Sequence, residues 1–324
     1  MILEIQHETC LAYTEAVSES IAEARMEPVS DADQSCRSFH LGISPNTTVF
    51  RYVDGFGNRV HHFNVLPTHG ELRIMAAAVV ETHPRPRDLT LSSDLYPLDL
   101  EKAELELLDY LHLRGPVRDS PQLAPLLELL RPKAGSPLGE AVMGISRHIH
   151  LNFEYAKYYT LASSPIDDIL TFGKGVCQDF THLMLAILRC FGVPSRYVSG
   201  YVHHMDKEAQ SHAWCEVWLP SLGWVGIDPT NDQVVDERFI KVAIGRDFTD
   251  VPPNKGLFRG KASQAISVRV ETRVLDTLPS VSWQDQLPPL QTPLTAIVSP
   301  RRANEMADED DIAQEQQQQQ QQQQ

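Results

Sequence analysis

Apolar and polar positions alternate along the first part of the chain. From Ile5 to Tyr13 every second residue falls on one face of an extended segment, which is the period of a half-buried strand. Further β-rich runs follow between turn signals, and residues 59–66 and 71–81 are typical of a hairpin around Pro67. The pattern predicts a β-sandwich over residues 1–85.

Helical periodicity replaces this alternation after Pro84-Arg-Pro-Arg87. Two prolines remove donors from a strand ladder and restrict the residues before them, so we place a domain boundary here. Five helices are predicted beyond it, from their leucine spacing, capping serines and N-terminal prolines: residues 98–113, a segment from Ser120-Pro121 to about Arg131, 139–152, a segment from Ser164-Pro165 through Leu170, and 178–191.

Strand-like segments return after the last of these helices. They cover residues 196–202, 212–219, 224–228 and 264–275 and are rich in Val, Tyr and Trp. Residues 86–277 therefore predict a domain of helices packed on an antiparallel sheet, and the whole chain an α+β fold. Residues 278–324 hold many prolines, an acidic stretch and Gln316–Gln324, a composition that predicts a disordered tail without activity.

The charge and the cysteines of the chain indicate which partners it binds and in which cellular compartment it lies. The 324 residues contain 28 basic and 43 acidic side chains, a net charge of −15 that opposes binding to nucleic acid or anionic lipid. Five cysteines without close pairs make a poor disulfide framework. The N-terminus lacks the basic and apolar pattern of a secretory signal. We expect a soluble cytoplasmic protein with no nucleic-acid or membrane partner.

Cys177 is the candidate nucleophile. It follows Gly173 and Gly175, which allow a positive φ or a close approach, and it lies at the start of a strongly apolar helix. Unpaired N–H groups and the helix dipole there favour a thiolate. By position alone, however, a cysteine packed in the core is the commoner outcome.

Two strands downstream supply the groups that such a thiol needs. A five-residue connection joins the strands that carry His212 and Asp228, and an even pairing register places both side chains on one face, directly opposite or on the diagonal. A carboxylate can then hold one nitrogen of the imidazole while the other nitrogen faces the thiol.

The remaining histidines and cysteines do not form an equally good site. His182 lies about 140° around its helix from Cys177, and the adjacent pairs His203-His204 and His61-His62 point to opposite faces of their strands. We interpret these histidines as surface or structural. Cys190 and Cys215 lack the spacing of a zinc site, and we expect them to pack in the core.

Four segments resemble the bacterial transglutaminase-like enzymes: Gly175-Val-Cys177-Gln-Asp-Phe, Arg189-Cys-Phe-Gly-Val-Pro-Ser-Arg-Tyr-Val-Ser-Gly200-Tyr, His212-Ala-Trp-Cys-Glu-Val-Trp and Gly223-Trp-Val-Gly-Ile-Asp228-Pro-Thr-Asn. The similarity covers about residues 137–232, and the β-rich first domain resembles the N-terminal domain that accompanies these enzymes. It implies a papain-like centre with Cys177 as nucleophile, His212 as general base and acid, and Asp228 as orienter. Members of the family include crosslinking transglutaminases, peptidases, amidases and versions without catalytic residues.

The expected activity is acyl transfer from an amide or peptide bond of a peptide or protein substrate, without metal or cofactor. We expect hydrolysis first, transfer to an amine as the alternative, and a non-catalytic binding module as the third possibility. The oxyanion would meet the backbone N–H of Cys177, and the Gln178 side chain is either a second donor or a plain helix residue. Asp179 would complement the helix dipole, and Trp214, Trp218 and Trp224 would mainly pack. Arg196 is expected to be a paired structural residue, and the oligomeric state is left open.

Overall fold

The protein combines three four- or five-stranded antiparallel sheets with a group of helices. A computed structural model describes residues 1–83, 88–89, 92–100, 105–204 and 210–278. The predicted boundary at residues 84–87 and the predicted tail from residue 279 onward lie outside these residues. No helix among the described ones is both long enough and apolar enough to span a membrane.

The first 83 residues form six strands. Their bounds are β1 Ile2–Val17, β2 Glu19–Ala24, β3 Gln34–Ser44, β4 Val49–Val53, β5 Arg59–Val65 and β6 His69–Thr82. The hairpin predicted around Pro67 is wrong, because β5 pairs with β2 and β4 whereas β6 pairs with β1 and β3. The chain thus crosses from one sheet to another between residues 65 and 69.

Two strands from the far end of the described chain complete these sheets. β14 (Asn254–Arg259) pairs with β2, and β15 (Gln264–Leu275) pairs with β1 along its whole length, from Ile2 opposite Leu275 to Tyr13 opposite Gln264. The first sheet has the order β15-β1-β6-β3 and the second β14-β2-β5-β4. One apolar cluster, which includes Leu72 and Phe63, draws on both sheets. The sequence pattern alone places this last strand in the second domain, whereas the structure pairs it with β1 of the first sheet.

Within the described residues, five α-helices lie between β6 and the third sheet. Their bounds are α1 Leu105–Asp109, α2 Ala124–Leu130, α3 Leu138–Asn152, α4 Ile166–Phe172 and α5 Cys177–Cys190. α1 is shorter than predicted within the described residues, and a 3₁₀ turn over Pro121–Leu123, capped by Ser120, precedes α2. Two short strands, β7 (Glu154–Tyr155) and β8 (Lys174–Gly175), pair in parallel beside α5.

The third sheet, called the core sheet, has the order β12-β11-β10-β9-β13. Its strands are β9 Ser195–Val202, β10 Gln210–Leu219, β11 Gly223–Asp228, β12 Gln233–Val234 and β13 Phe239–Gly245. Alternate residues of β10, from Ala213 to Leu219, share an apolar cluster with α5. The first sheet packs on the core sheet through a separate cluster that includes Leu3 and Ile240.

Side-chain amides from the first 60 residues cover the outer edge of β13. Asn58 donates to the Ile244 carbonyl at 2.8 Å and accepts from the Ile244 N–H at 2.7 Å. Gln34 makes the same pair of bonds with Lys241, at 2.9 and 2.8 Å. These amides take the hydrogen-bonding place of a sixth strand and attach the core sheet to the first two sheets.

The Asn58→Ala substitution tests this attachment. Asn58 is fully buried, so its loss leaves the N–H and C=O of Ile244 without partners. We expect a loss of about 3 kcal/mol in the free energy of unfolding, measured by urea denaturation. The exposed Asn46→Ala is the matched control, for which a change within about 0.5 kcal/mol is expected. Equal effects of the two substitutions would contradict the bridging role.

Candidate functional site

The turn between α4 and α5 positions Cys177. Gly173 ends α4 with a φ of 66°, a left-handed conformation that suits glycine, and its N–H donates to the Ile169 carbonyl at 2.8 Å. A side chain at Gly175 would place its Cβ 2.7 Å from an oxygen of Asp179. Both glycines are therefore needed where the chain enters α5, one for its backbone conformation and the other for space.

Asp179 fixes the first turn of α5. Its Oδ2 accepts the Val176 N–H at 2.8 Å and the Thr160 hydroxyl at 2.6 Å. Burial raises the pKa of Asp179 to about 6, although these hydrogen bonds act in the opposite direction. The carboxylate thus caps the helix and ties it to the segment before α4, in addition to the dipole role expected from sequence.

Gln178 anchors the same turn from the other side. Its side chain is buried, and its amide N–H donates to the Ala162 carbonyl at 2.9 Å. This bond uses one of the two N–H groups of the Gln178 amide. Gln178 therefore anchors α5 to the loop at Ala162.

His212 and Asp228 meet on one face of the core sheet. The pairing of Cys215 with Ile227 sets an even register, which places His212 and Asp228 on the diagonal, as one of the two predicted arrangements requires. The distance from His212 Nε2 to Asp228 Oδ2 is 2.9 Å. Because a carboxylate only accepts, Nε2 carries the proton of this bond.

Asp228 is fully buried and accepts three hydrogen bonds. Besides His212, the Thr230 N–H donates at 2.9 Å and the Asn231 side-chain amide at 2.7 Å. Burial by itself would raise the pKa of Asp228, but the charge of His212 and these donors lower it below its ordinary value. Asp228 is thereby kept as a carboxylate that is oriented on three sides.

The thiol of Cys177 completes the group. Cys177 is buried at the start of α5, and its side chain interacts electrostatically with His212. Burial opposes a charged ring at His212, yet its pKa is raised to about 10, because the charge and hydrogen bond of Asp228 and the contact with Cys177 outweigh burial. Of the three residues predicted from sequence, His212 and Asp228 are thus in direct contact, and the Cys177 side chain adds to the shift of the His212 pKa.

Two aromatic rings enclose His212. Trp214 stacks on the imidazole with an interplanar angle of 27° and a centroid distance of 6.4 Å, and Phe239 lies 6.1 Å away. Room for Trp214 comes from Gly200, where a Cβ would lie 2.6 Å from the indole ring and 2.1 Å from the Ile240 carbonyl oxygen. The ring of His212 is therefore held by packing as well as by Asp228.

His182, Cys190 and Cys215 have surroundings that differ from those of His212 and Cys177. His182 is buried, accepts the Phe248 N–H at 3.2 Å and has a pKa lowered to about 3 by burial. Burial also raises the pKa of Cys190 and of Cys215. Within the described ranges, no three His, Cys, Asp or Glu side chains gather as a metal site.

Arg196 is a paired structural residue. Its guanidinium donates to Glu216 at 2.7 Å and lies 4.1 Å above the ring of Trp224. Trp224 in turn packs edge-on against Trp218 at 5.4 Å. These residues pack at the end of β10 and β11 far along the strands from His212, which agrees with the packing role predicted for Trp218 and Trp224.

Sequence reasoning missed Asn231 and the positioning role of Trp214. The turn Asp228-Pro-Thr-Asn231 offered one signal, since an Asx side chain at a strand end commonly accepts hydrogen bonds from the residues that follow it. The stacking of Trp214 on His212 follows from their places two residues apart on one strand face.

The raised pKa of His212 predicts a pH dependence of stability. Folding raises this pKa from 6.5 to about 10, so the charged ring stabilises the fold fully below pH 6.5 and loses that effect as the pH rises through 10. We expect the free energy of unfolding, from urea titrations between pH 7 and 10, to fall more steeply in the native chain than in Asp228→Asn. Parallel pH profiles would contradict the assigned interaction.

Comparison with known proteins agrees with this architecture. Residues 128–229 match the model of the transglutaminase-like superfamily, and residues 3–81 match the bacterial transglutaminase-like N-terminal region. An uncharacterised protein of Mycobacterium leprae is 31% identical over 296 residues, which cover 83% of this chain and 97% of that protein. An uncharacterised protein of Mycobacterium tuberculosis is 32% identical over 290 residues, which cover 82% of this chain and 91% of that protein.

Two further proteins carry descriptive names. A protein-glutamine gamma-glutamyltransferase of Pseudomonas aeruginosa is 29% identical over 170 residues, 46% of this chain and 25% of that enzyme. The crystal structure of a candidate cysteine protease from Cytophaga hutchinsonii superposes with a TM-score of 0.72 at 21% identity, covering 87% of this chain and 94% of that one. With the matches to both family models, these findings show that the chain belongs to the transglutaminase-like superfamily and carries its bacterial N-terminal region.

Proposed function

We propose that this protein is a cysteine hydrolase that cleaves amide or peptide bonds by acyl transfer. The observation that carries the proposal is the His212–Asp228 pair, in which a buried carboxylate holds the imidazole at 2.9 Å, together with the electrostatic interaction of this ring with Cys177 at the N-terminus of α5. Cys177 is the nucleophile, His212 the general acid and base, and Asp228 the residue that orients the ring.

The reaction begins when the Cys177 sulfur attacks the amide carbonyl. A C–S bond forms, and the oxyanion of the tetrahedral intermediate accepts the Cys177 backbone N–H. As the C–N bond breaks, His212 gives its proton to the leaving amine. Water then attacks the thioester while His212 takes one of its protons. As the C–S bond breaks, the carboxylic acid is released, and the Cys177 thiolate and the protonated His212 are restored.

Transfer to an amine is the second candidate, since the Pseudomonas relative bears the name of a glutamyltransferase. Both reactions share the thioester, and only the acceptor differs. Incubation with a peptide library and an excess of a fluorescent primary amine separates them by mass spectrometry. We expect hydrolysed peptide to exceed amine adduct, and the reverse ratio would establish the amine as the preferred acceptor.

Alkylation with iodoacetamide distinguishes an enzyme from a binding module. We expect Cys177 to react at pH 6 much faster than Cys190 or Cys215, whose pKa values are raised by burial, because a protonated His212 stabilises a neighbouring thiolate. Peptide mapping of the alkylated chain measures the three rates. Equal rates would favour a non-catalytic module.

A further inference from the structure

Exposed aromatic side chains are concentrated beside Cys177. In the parts of the chain that the structure describes, five aromatic residues are exposed, and four of them lie within 18 positions of one another. They are Tyr155, Tyr158, Tyr159 and Phe172, here called the aromatic platform. The fifth, Tyr52, lies on β4 of the second sheet. Large apolar surfaces that stay uncovered on a folded domain commonly mark a binding site.

Pairing between β7 and β8 brings the platform to the nucleophile. Tyr155 lies opposite Gly175, two residues before Cys177, and its ring packs edge-on at 6.3 Å against Phe180 in the first turn of α5. Tyr159 lies 6.4 Å from the ring of Phe172. The platform therefore extends from the end of α4 to the first turn of α5.

The backbone at Tyr158 gives an independent indication of a role beyond packing. Its φ is 72°, a left-handed conformation that is unfavourable for a bulky residue, and its ring is 73% exposed. Because the ring is mostly exposed, its burial contributes little free energy to offset the cost of this backbone conformation. Such strain is concentrated at sites of function rather than in ordinary surface turns.

The edge of β7 indicates a polypeptide as the occupant. The N–H groups of Glu154 and Ala156 donate to the carbonyls of Gly173 and Gly175, each at 2.9 Å. Because successive residues of a strand point their amides in opposite directions, the N–H and C=O of Tyr155 face away from β8. An extended peptide can pair with such an edge while its side chains contact the neighbouring rings.

Charge near the platform favours an apolar side chain. The Lys174 ammonium lies 5.0 Å above the ring of Tyr159, but it is paired with Glu154 at 2.9 Å. The cation next to the rings is thus neutralised, and a charged ligand gains little there. Aromatic and aliphatic side chains, in contrast, gain contact area from each ring.

We propose that the aromatic platform binds aromatic or aliphatic side chains of an extended polypeptide that pairs with the edge of β7 and presents its amide to Cys177. The position of the amide rests on the proposed function. The substrate class is then a polypeptide with apolar side chains near the reactive bond, in place of a small amide.

The test measures binding in the Cys177→Ala chain, where no turnover consumes the peptide. The probe is a fluorescein-labelled decapeptide with two phenylalanines, compared by anisotropy with the same peptide carrying serines. We expect the double variant Tyr159→Ser/Phe172→Ser, made in this chain, to bind the phenylalanine peptide at least about tenfold more weakly. Tyr52→Ser is the matched control and should bind as the parent does.

A second variant, Tyr158→Asn, guards against loss of folding, since asparagine tolerates a left-handed backbone. It should also weaken binding while its Tm stays at the parent value. Unchanged affinity in both variants would overturn the proposal. Tighter binding after removal of residues 279–324 would also overturn it, because the tail would then be the occupant of the platform. Self-association that only the parent shows would overturn it as well, because the occupant would then be a second copy of the chain.

Turnover of the same peptides by the chain with Cys177 intact separates this proposal from the proposed function. Selective binding without turnover supports the platform and rejects the hydrolase. Turnover at equal kcat/KM for phenylalanine and serine peptides, in the parent and in both variants, supports the hydrolase and rejects the platform.

Discussion

Replacing Cys177 with alanine should reduce kcat/KM for an amide substrate by at least about 10⁴-fold, because no other group at the site can form the thioester. The substitution removes one sulfur from a buried position at the start of α5. The free energy of unfolding should therefore fall by about 1 kcal/mol or less. Peptide hydrolysis followed by mass spectrometry gives the rate, and urea unfolding gives the stability.

Cys190→Ala is the control for this substitution. Cys190 ends the same helix, at the opposite end from Cys177. We expect this variant to retain the activity of the native chain. Residual turnover in Cys177→Ala at the native rate would mean that the reaction does not pass through this sulfur.

Replacing Asp228 with asparagine should lower kcat by about 10⁴-fold while the protein stays folded. An asparagine oxygen can still accept the Thr230 N–H, but the neutral side chain no longer stabilises a charged His212. Burial then dominates, and the pKa of His212 should fall. The measurement is kcat together with the pH dependence of Cys177 alkylation, whose profile should shift relative to that of the native chain.

Asp232→Asn provides a matched control four residues further along the chain. Asp232 pairs with Arg147 at 3.0 Å and has a φ of 49°, which asparagine tolerates. Its kcat should stay within about threefold of the native value. A large drop in Tm for Asp228→Asn, with the native rate kept by the folded fraction, would instead assign Asp228 a purely structural role.

Local patterns were sufficient to predict the elements around the site. The short connection between β10 and β11 limits their register, and the two-residue period of a strand then places His212 and Asp228 on one face. Helix α5 was equally readable, since two glycines precede a long apolar segment and Gly192-Val193-Pro194 follows it. The family resemblance, carried by these same segments, is confirmed by both family models.

Long-range pairing could not be read from the same patterns. The alternation of β5 and β6 is compatible with a hairpin, but β5 pairs with β2 and β6 pairs with β3 in the other sheet. The two strands meet through their inward side chains, in the cluster that includes Phe63 and Leu72. Likewise, the clean alternation of β15 predicted a strand but carried no information that its partner is β1, more than 250 residues away in sequence. Periodicity specifies the buried face of a strand and leaves its neighbour undetermined.

Side-chain partners at the site were the least predictable part. Gln178 follows the nucleophile directly, yet its amide bonds to Ala162, and Asn231 reaches back to Asp228 only because the turn after β11 folds over it. These contacts depend on the exact path of two loops. A residue type alone does not determine that path.

The pairing of Ile2 with Leu275 has a consequence for synthesis and engineering of the chain. Everything from residue 83 to residue 253 is an insertion within an all-β unit whose first and last strands are neighbours. During translation, the whole insertion must therefore be synthesised before β14 and β15 can complete the two sheets. Until then, β1 and β2 each lack one neighbouring strand. Because residues 2 and 275 are adjacent, a short linker between them would permit circular permutation, with new termini opened in an exposed loop.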